Sequence, residues 1–367
     1  MANLKVTAPL LNKRSLPVTD TSDKGNIIGT VKKGFQFESV EQLTNAAGDW
    51  FRDRDGSWYW GGGLSEISNL VQVLAVAPAP ATPGEVFQFD PAKISWAHTA
   101  LKITAIWQDA KVAGKNVRVA ILDGGFDTTH VDLKPLLSES FFSGQGQVEH
   151  GTNMAGMIGA KGNKVTGIAP ECDMLFVKID FDNADSISKA LQWANQNNAD
   201  IISLSFRCAF DDKIETALKN CSDNNIAIIT AIGNSGELNT VIDTVYPAKS
   251  PFCFAVGCFG KDFKRMAVSN FSNNLQLLAP AEGMLKAKAV NDTEISDGET
   301  SLATAFTCGV AALLLSVARK TNSNAKGKQI MEALCQHADK RNNGNADRNT
   351  EYGFGLIAPF QTYIAIK

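Results

Sequence analysis

From about residue 92 onward, short runs rich in Val, Ile, Leu and Ala alternate with longer stretches whose apolar residues recur at helical spacing. The clearest strands are 117–122, 174–179, 201–204, 226–231 and 252–256, and the intervening stretches 183–197 and 211–224 carry helical patterns. These strands are apolar along their whole length instead of alternating, as in a sheet covered on both faces. The rhythm predicts an α/β domain: a three-layer, doubly wound, mainly parallel sheet.

A second feature divides the chain. Residues 77–84 read Ala-Pro-Ala-Pro-Ala-Thr-Pro-Gly, and prolines so close together remove backbone donors and hold the chain extended. This predicts a linker at 73–91 between a module at 1–72 and a larger domain at 92–367. A total of 367 residues fits two or three domains at about 150 residues each. In the first module, short β-rich runs are separated by turn signals at 23–26, 32–34 and 55–56, which reads as a small all-β barrel.

Composition removes several function classes. Lys and Arg total 35 against 38 Asp and Glu, a net charge of −3, so no basic surplus exists to neutralise a phosphate backbone and no nucleic-acid partner is expected. The longest mainly apolar stretch, 308–318, falls short of the roughly 20 residues that cross a bilayer. The first residues lack a secretory pattern. Seven cysteines show no Cys-x-x-Cys spacing, and Cys253, Cys258 and Cys308 sit in apolar runs. Together these features predict reduced, buried thiols in a cytoplasmic protein with no membrane partner.

In a doubly wound sheet, functional groups gather where strands end and helices begin. Four residues fall on that edge. Asp123 follows the strand at 117–122 and precedes Gly124-Gly125; His150 opens a helical run in which Gly151, Ala155 and Gly159 recur at about one-turn spacing. Asn234 follows the strand at 226–231, and Ser301 begins a mostly apolar helix whose amino-terminal donors favour developing negative charge. Singly, Asp123 also reads as a turn residue, Ser301 as a helix cap and His150 as a packed polar group. Jointly they supply an orienter, a base, an oxyanion donor and a nucleophile. A phosphatase or other α/β hydrolase using Asp123 and Asp127 is a remote alternative, since no Gly-x-Ser-x-Gly elbow or phosphate loop is present.

The phrases around these residues resemble the subtilase family, the subtilisin-like serine peptidases: Val-Ala-Ile-Leu-Asp123-Gly-Gly, His150-Gly-Thr-Asn-Met-Ala-Gly, Gly167-Ile-Ala-Pro, Ala231-Ile-Gly-Asn234, Tyr246-Pro-Ala, Ala279-Pro, Thr300-Ser301-Leu-Ala-Thr and Tyr352-Gly-Phe-Gly-Leu-Ile. The similarity covers about residues 92–360. It implies a subtilisin-like fold and endopeptidase activity on a protein or peptide substrate, a dedicated partner protein being one candidate. By the same resemblance Ser301 is the nucleophile, His150 the base, Asp123 its orienter and Asn234 an oxyanion donor. Substrate contacts fall to Ser205, Phe206, Arg207, Gly233 and Val245. No cofactor is required; a structural calcium ion is compatible with the family, although the usual calcium loop is shortened at 160–168.

Departures from the family phrases cluster near the substrate. Glu299 stands where the family places Gly, one position after Gly298. A backbone requiring positive φ there strains Glu299, and its carboxylate repels an oxyanion or raises the His150 pKa. The family's Ser-Leu-Gly-Gly strand is here Ser205-Phe206-Arg207-Cys208. Arg207 then favours an acidic substrate side chain, and Val245 makes a shallow pocket; alternatively both are packing residues. These departures also support a runner-up reading, a weak or inactive relative that binds peptides as a scaffold.

Residues 9–65 resemble bacterial Src-homology-three domains through Leu11-Asn-Lys-Arg-Ser-Leu-Pro, Ile28-Gly-Thr-Val-Lys-Lys-Gly, Asp49-Trp-Phe, Trp60-Gly and Leu64. Such a module implies a targeting or regulatory role, binding a peptide, a glycan or its own peptidase domain, with the linker at 78–84 a place for cleavage on activation. Trp50, Trp58, Tyr59 and Trp60 either line a groove or fill a core, and alternation favours the core.

Overall fold

The computed structural model describes residues 86–236, 245–344 and 346–367, and nearer the amino terminus the segments 3–6, 10–14, 27–32, 36–38, 41–52, 57–61 and 64–66. The chain forms two compact units, Met1–Thr82 and Pro83–Lys367. The proline-rich linker and the turn signals at 23–26 and 55–56 lie outside the described residues.

Among its described residues, the first unit forms antiparallel β-sheets. Strands β1 (Asn3–Val6), β4 (Gln36–Glu38) and β8 (Leu64–Glu66) form one sheet, in the order β4-β1-β8. Strands β2 (Leu10–Arg14), β3 (Ile27–Lys32), β5 (Glu41–Asn45), β6 (Gly48–Arg52) and β7 (Trp58–Trp60) form a second, ordered β3-β2-β7-β6-β5. Trp50, Trp58 and Tyr59 are buried, and the half-buried Trp60 donates its indole N–H to the Ala47 carbonyl at 2.7 Å. Trp50, Trp58 and Tyr59 are therefore packing residues.

In the second unit, β9 (Arg118–Asp123), β10 (Leu137–Ser140), β11 (Asp173–Lys178), β12 (Ile201–Leu204), β13 (Ala227–Ala231), β14 (Phe254–Phe259) and β15 (Leu275–Pro280) build one parallel sheet ordered β10-β11-β9-β12-β13-β14-β15. Successive residues of β9 enter opposite faces: Val119 and Ile121 join one apolar cluster, Ala120 and Leu122 the other. Helices α4 (Ala184–Gln196) and α5 (Asp212–Asp223) cover the second face. The first face is covered by α3 (Val148–Gly159), α6 (Thr300–Ala318) and α7 (Gly327–Gln336), with α1 (Trp96–Ala100), α2 (Ile103–Ala110) and α8 (Pro359–Ile366) packed beyond them. An antiparallel hairpin, β16 (Leu285–Lys288) and β17 (Asp292–Ile295), lies against α3.

The predicted helices begin where their caps dictate. The Asn183 side chain accepts the N–H groups of Asp185 and Ser186 at the start of α4, and Asp211 accepts that of Lys213 at the start of α5. The strand expected at 252–256 runs instead over Phe254–Phe259, because Ser250 and Phe252 are drawn into a turn that closes with a Cys253 N–H bond to the Ser250 carbonyl. β10 has an exposed, polar sequence and offers no apolar run to detect.

All 19 residues of α6 are buried. The helix is longer than the apolar run at 308–318 and is long and apolar enough to cross a membrane by length and composition. Its burial against β12, β13, β14 and β15 makes it the central helix of this fold. Gly309 permits that depth: a β-carbon there would lie 2.6 Å from Ile168 Cβ. The strand order reverses between β9, whose neighbour β11 leads to one edge, and β12, which leads to the other. That switch point, at the carboxyl ends of the strands, is where an open α/β sheet offers a crevice.

Candidate active site

Asp123 ends β9 at the switch point and is 1% exposed. Its carboxylate accepts the Gly124 N–H at 2.7 Å and faces His150, whose Nδ1 lies 2.8 Å and 3.1 Å from the two oxygens. A carboxylate only accepts, so Nδ1 carries the proton and Nε2 is left as the basic nitrogen. His150 is the third residue of α3, not the first as expected, because the helix begins at Val148. Gly151 lets α3 approach this closely: a β-carbon there would lie 2.1 Å from the Gly125 carbonyl oxygen. Burial lowers the His150 pKa, but the hydrogen bond to Asp123, its charge and that of Glu299 outweigh this, and the pKa is raised from 6.5.

Ser301 is the second residue of α6 and is buried. Its N–H has no intrahelical acceptor, and the helix dipole favours negative charge there. β12 pairs with β9 in a register that sets Leu204 beside Leu122, so Ser205 follows on next to Asp123. Ser205 and Ser301 are linked twice: Ser301 Oγ donates to the Ser205 carbonyl at 3.2 Å, and Ser205 Oγ donates to the Ser301 carbonyl at 3.1 Å. The Ser301 hydroxyl is therefore turned to β12 and makes no hydrogen bond to His150.

Asn234 lies in the loop after β13 with its side chain exposed. Its Oδ1 accepts both the Thr300 N–H at 3.0 Å and the Thr300 hydroxyl at 2.7 Å. An N–H can only donate, so this contact fixes the amide orientation and leaves Nδ2 facing outward as a donor beside the start of α6. Gly233 has φ +113°, and a β-carbon on it would lie 2.4 Å from Asn270 Nδ2 and 3.4 Å from Val245 Cγ2. Gly233 and Val245 are thus neighbours.

Of the other expected substrate contacts, Ser205 and Phe206 are buried, and Phe206 packs on Phe181 with ring centres 5.1 Å apart. Phe206 is a packing residue. Arg207 is exposed and makes no hydrogen bond or ion pair with the described residues. Cys208, the next residue, pairs with Tyr246 through its N–H at 2.9 Å.

Glu299 is unstrained, because the condition for strain, a positive φ, is not met there. It caps α6 with φ −145° and ψ 155°, ordinary extended backbone, while Gly298 carries the left-handed φ of +105°. The influence of Glu299 on His150 has the expected direction. Asp127 is occupied in a turn, accepting from Thr129 N–H and hydroxyl and from Asn291 N–H, which removes the second carboxylate of the phosphatase alternative. At the shortened loop, the buried Asp132 carboxylate accepts the N–H groups of Asn163, Lys164 and Val165. Among the described residues no group of three or more His, Cys, Asp and Glu is arranged to hold a metal.

Two positioning residues escape sequence reading. Thr300 orients Asn234 through its N–H and hydroxyl. Asn270, 1% exposed, accepts from Ser235 N–H at 2.7 Å, donates through Nδ2 to the Ile232 carbonyl at 3.2 Å and bonds the Gly233 carbonyl through its own N–H at 2.9 Å. It holds both sides of the Asn234 loop. Its only sequence signal is the polar run Ser269-Asn-Phe-Ser272, which reads as a turn.

Residues 114–355 match the model of the subtilase family. Subtilisin NAT of Bacillus subtilis subsp. natto is 31% identical over 257 residues, which are 66% of this chain and 65% of that relative, so the chain spans just under two thirds of its length. The subtilisin of Bacillus pumilus is 31% identical over 257 residues, 66% of this chain and 90% of the relative. Among solved structures, the prenylagaramide maturation protease PagA superposes with a TM-score of 0.64 at 29% identity, over 72% of this chain and 98% of that one. The self-cleaved protease domain of PatA gives 0.61 at 27% identity, over 70% and 98%. With the seven-stranded parallel sheet and the residues gathered at its switch point, these likenesses establish that the chain belongs to the subtilase family.

Proposed function

We propose that this chain is a serine endopeptidase that cleaves a dedicated partner protein or precursor peptide through an acyl-enzyme. The observation that carries the reading is the buried Asp123 carboxylate on His150 Nδ1 at 2.8 Å, beside a serine at the amino end of α6. Ser301 Oγ attacks the substrate carbonyl carbon as its proton passes to His150 Nε2. The oxyanion is held by Asn234 Nδ2 and the Ser301 N–H, neither of which has an acceptor among the described residues. The C–N bond then breaks as His150 gives its proton to the leaving amine, and water repeats the sequence to release the acid. Asp123 holds the imidazole tautomer and stabilises its cation throughout.

The Ser301 hydroxyl must first leave the Ser205 carbonyl. A substrate N–H donating to that carbonyl takes its place and frees Oγ to turn to His150, a tightening expected when substrate arrives. Arg207, exposed beside this strand, suits an acidic substrate side chain, and Gly233 with Val245 borders the same crevice. The likeness to the prenylagaramide maturation protease PagA supports limited cleavage of a precursor.

The Ser301–Ser205 hydrogen bond also favours a second reading, an inactive peptide-binding relative. Incubation with a diverse peptide library, read by mass spectrometry, separates the two. New termini with the wild type and none with Ser301→Ala support the peptidase; peptides retained intact by both support the binding protein.

A further inference from the structure

Two exposed charged residues lie two positions from Ser301 or from its partner Ser205, without partners of their own among the described residues. Arg207 lies beyond Ser205 on the β12 side, and Glu299 lies at the entry to α6. Glu299 is exposed, and its side chain makes no hydrogen bond or ion pair with the described residues. Its backbone is nevertheless fixed, since the carbonyl accepts the N–H groups of Leu302 and Ala303 at 3.2 Å and 3.3 Å. A carboxylate is thus carried, two residues before the nucleophile, on backbone fixed by the first turn of the helix that presents Ser301. Asp297, also exposed, adds charge of the same sign. Of the cations on the nearby hairpin, Lys286 and Lys288 are both engaged with Glu294, at 3.0 Å and 3.2 Å, so neither is paired with Glu299.

Which side of the cleavage point Glu299 faces follows from His150. The base gives its proton to the leaving nitrogen, so the leaving segment passes His150; Glu299 follows four residues after the hairpin that lies against α3, the helix of His150, and its charge is among those that act on His150. We infer that Glu299 is a specificity-determining residue that selects a basic side chain, lysine or arginine, on the residue immediately after the scissile bond. The inference rests on the peptidase reading above and adds the chemistry of the leaving side. An exposed ion pair of this kind supplies a preference of about three- to fivefold.

Acyl transfer tests it without knowledge of the natural substrate. An acyl-enzyme is formed from an N-acyl amino acid p-nitrophenyl ester, and arginine amide, glutamine amide and glutamate amide compete with water for it. In each transfer the amine nitrogen bonds the acyl carbon, the ester bond to Ser301 Oγ breaks, and the amine proton returns to Oγ through His150. The wild type captures arginine amide about three- to fivefold better than glutamine amide, and glutamate amide worst. Glu299→Gln removes the difference between arginine and glutamine amides, Glu299→Asp retains it, and Glu299→Lys reverses the order in favour of glutamate amide. A reversal of charge preference is not something loss of structure produces. Equal arginine preference in wild type and Glu299→Gln, or no preference in the wild type, overturns the inference while leaving the peptidase reading intact. Failure of the ester to acylate Ser301 overturns that reading and this inference with it.

Discussion

His150 is the residue on which the chemistry turns, and its environment pulls in two directions. Burial opposes its cation; the Asp123 hydrogen bond and the charges of Asp123 and Glu299 favour it, and the balance lies above 6.5. The neutral imidazole is the base, so activity is lost as pH falls through this raised pKa. The acid limb of kcat/KM therefore lies above 6.5, and Glu299→Gln moves it to lower pH by removing one of the raising charges. A limb at or below 6.5, or one unmoved by the substitution, contradicts this assignment. The same shift stabilises the fold below pH 6.5, and that contribution disappears as pH rises through the folded-state value. At the oxyanion site, the Asn234 amide is oriented by a contact that a single-residue motif does not reveal. Asn234→Ala lowers kcat by about 10²- to 10³-fold with little change in KM, the magnitude that loss of the oxyanion asparagine has in subtilisin; an unchanged kcat removes Asn234 from the mechanism.

At the scale of elements, α6 joins fold to chemistry. Its amino end carries Ser301 and its body fills the space between the sheet and α3. Gly309 is the test of how tightly. Replacing a helix glycine by alanine gains at most about 1 kcal/mol of propensity, whereas overpacking costs about 1–3 kcal/mol, and the new methyl would meet the branched Cβ of Ile168. Gly309→Ala accordingly lowers the melting temperature; a rise would mean that the contact relaxes freely. Most elements are legible in the sequence because their physics is local. Continuous apolar runs mark β9, β11, β12 and β13, and side-chain caps open α4 and α5. β10 is silent because an exposed edge strand needs no apolar run, and the start of α3 is obscured because Gln147 offers no side-chain cap. Phe206 resembles a substrate contact in the sequence because its ring partner, Phe181, precedes it by a whole helix and strand.

The whole molecule assembles the site from segments that meet only when the sheet is complete. Asp123 and Ser205 become neighbours through the β9–β12 pairing, Asn234 meets Thr300 through the loop after β13, and Asn270 ties that loop from beyond β14. Sequence phrases mark Asp123, His150, Asn234 and Ser301 because each sits at or near the end of an element. The positioning roles of Thr300 and Asn270 are hidden for the opposite reason: their partners are set by tertiary packing, and a threonine that opens a helix or an asparagine in a turn looks the same with or without it. The inward turn of the Ser301 hydroxyl is likewise a property of the folded crevice. The most direct measurement of the central claim is the intact mass of folded protein after exposure to a fluorophosphonate at mildly alkaline pH, wild type beside Ser301→Ala. A single adduct on the wild type alone is the predicted result, since only a serine activated by His150 reacts. Folded wild type without an adduct, or an adduct that persists in Ser301→Ala, would contradict the account.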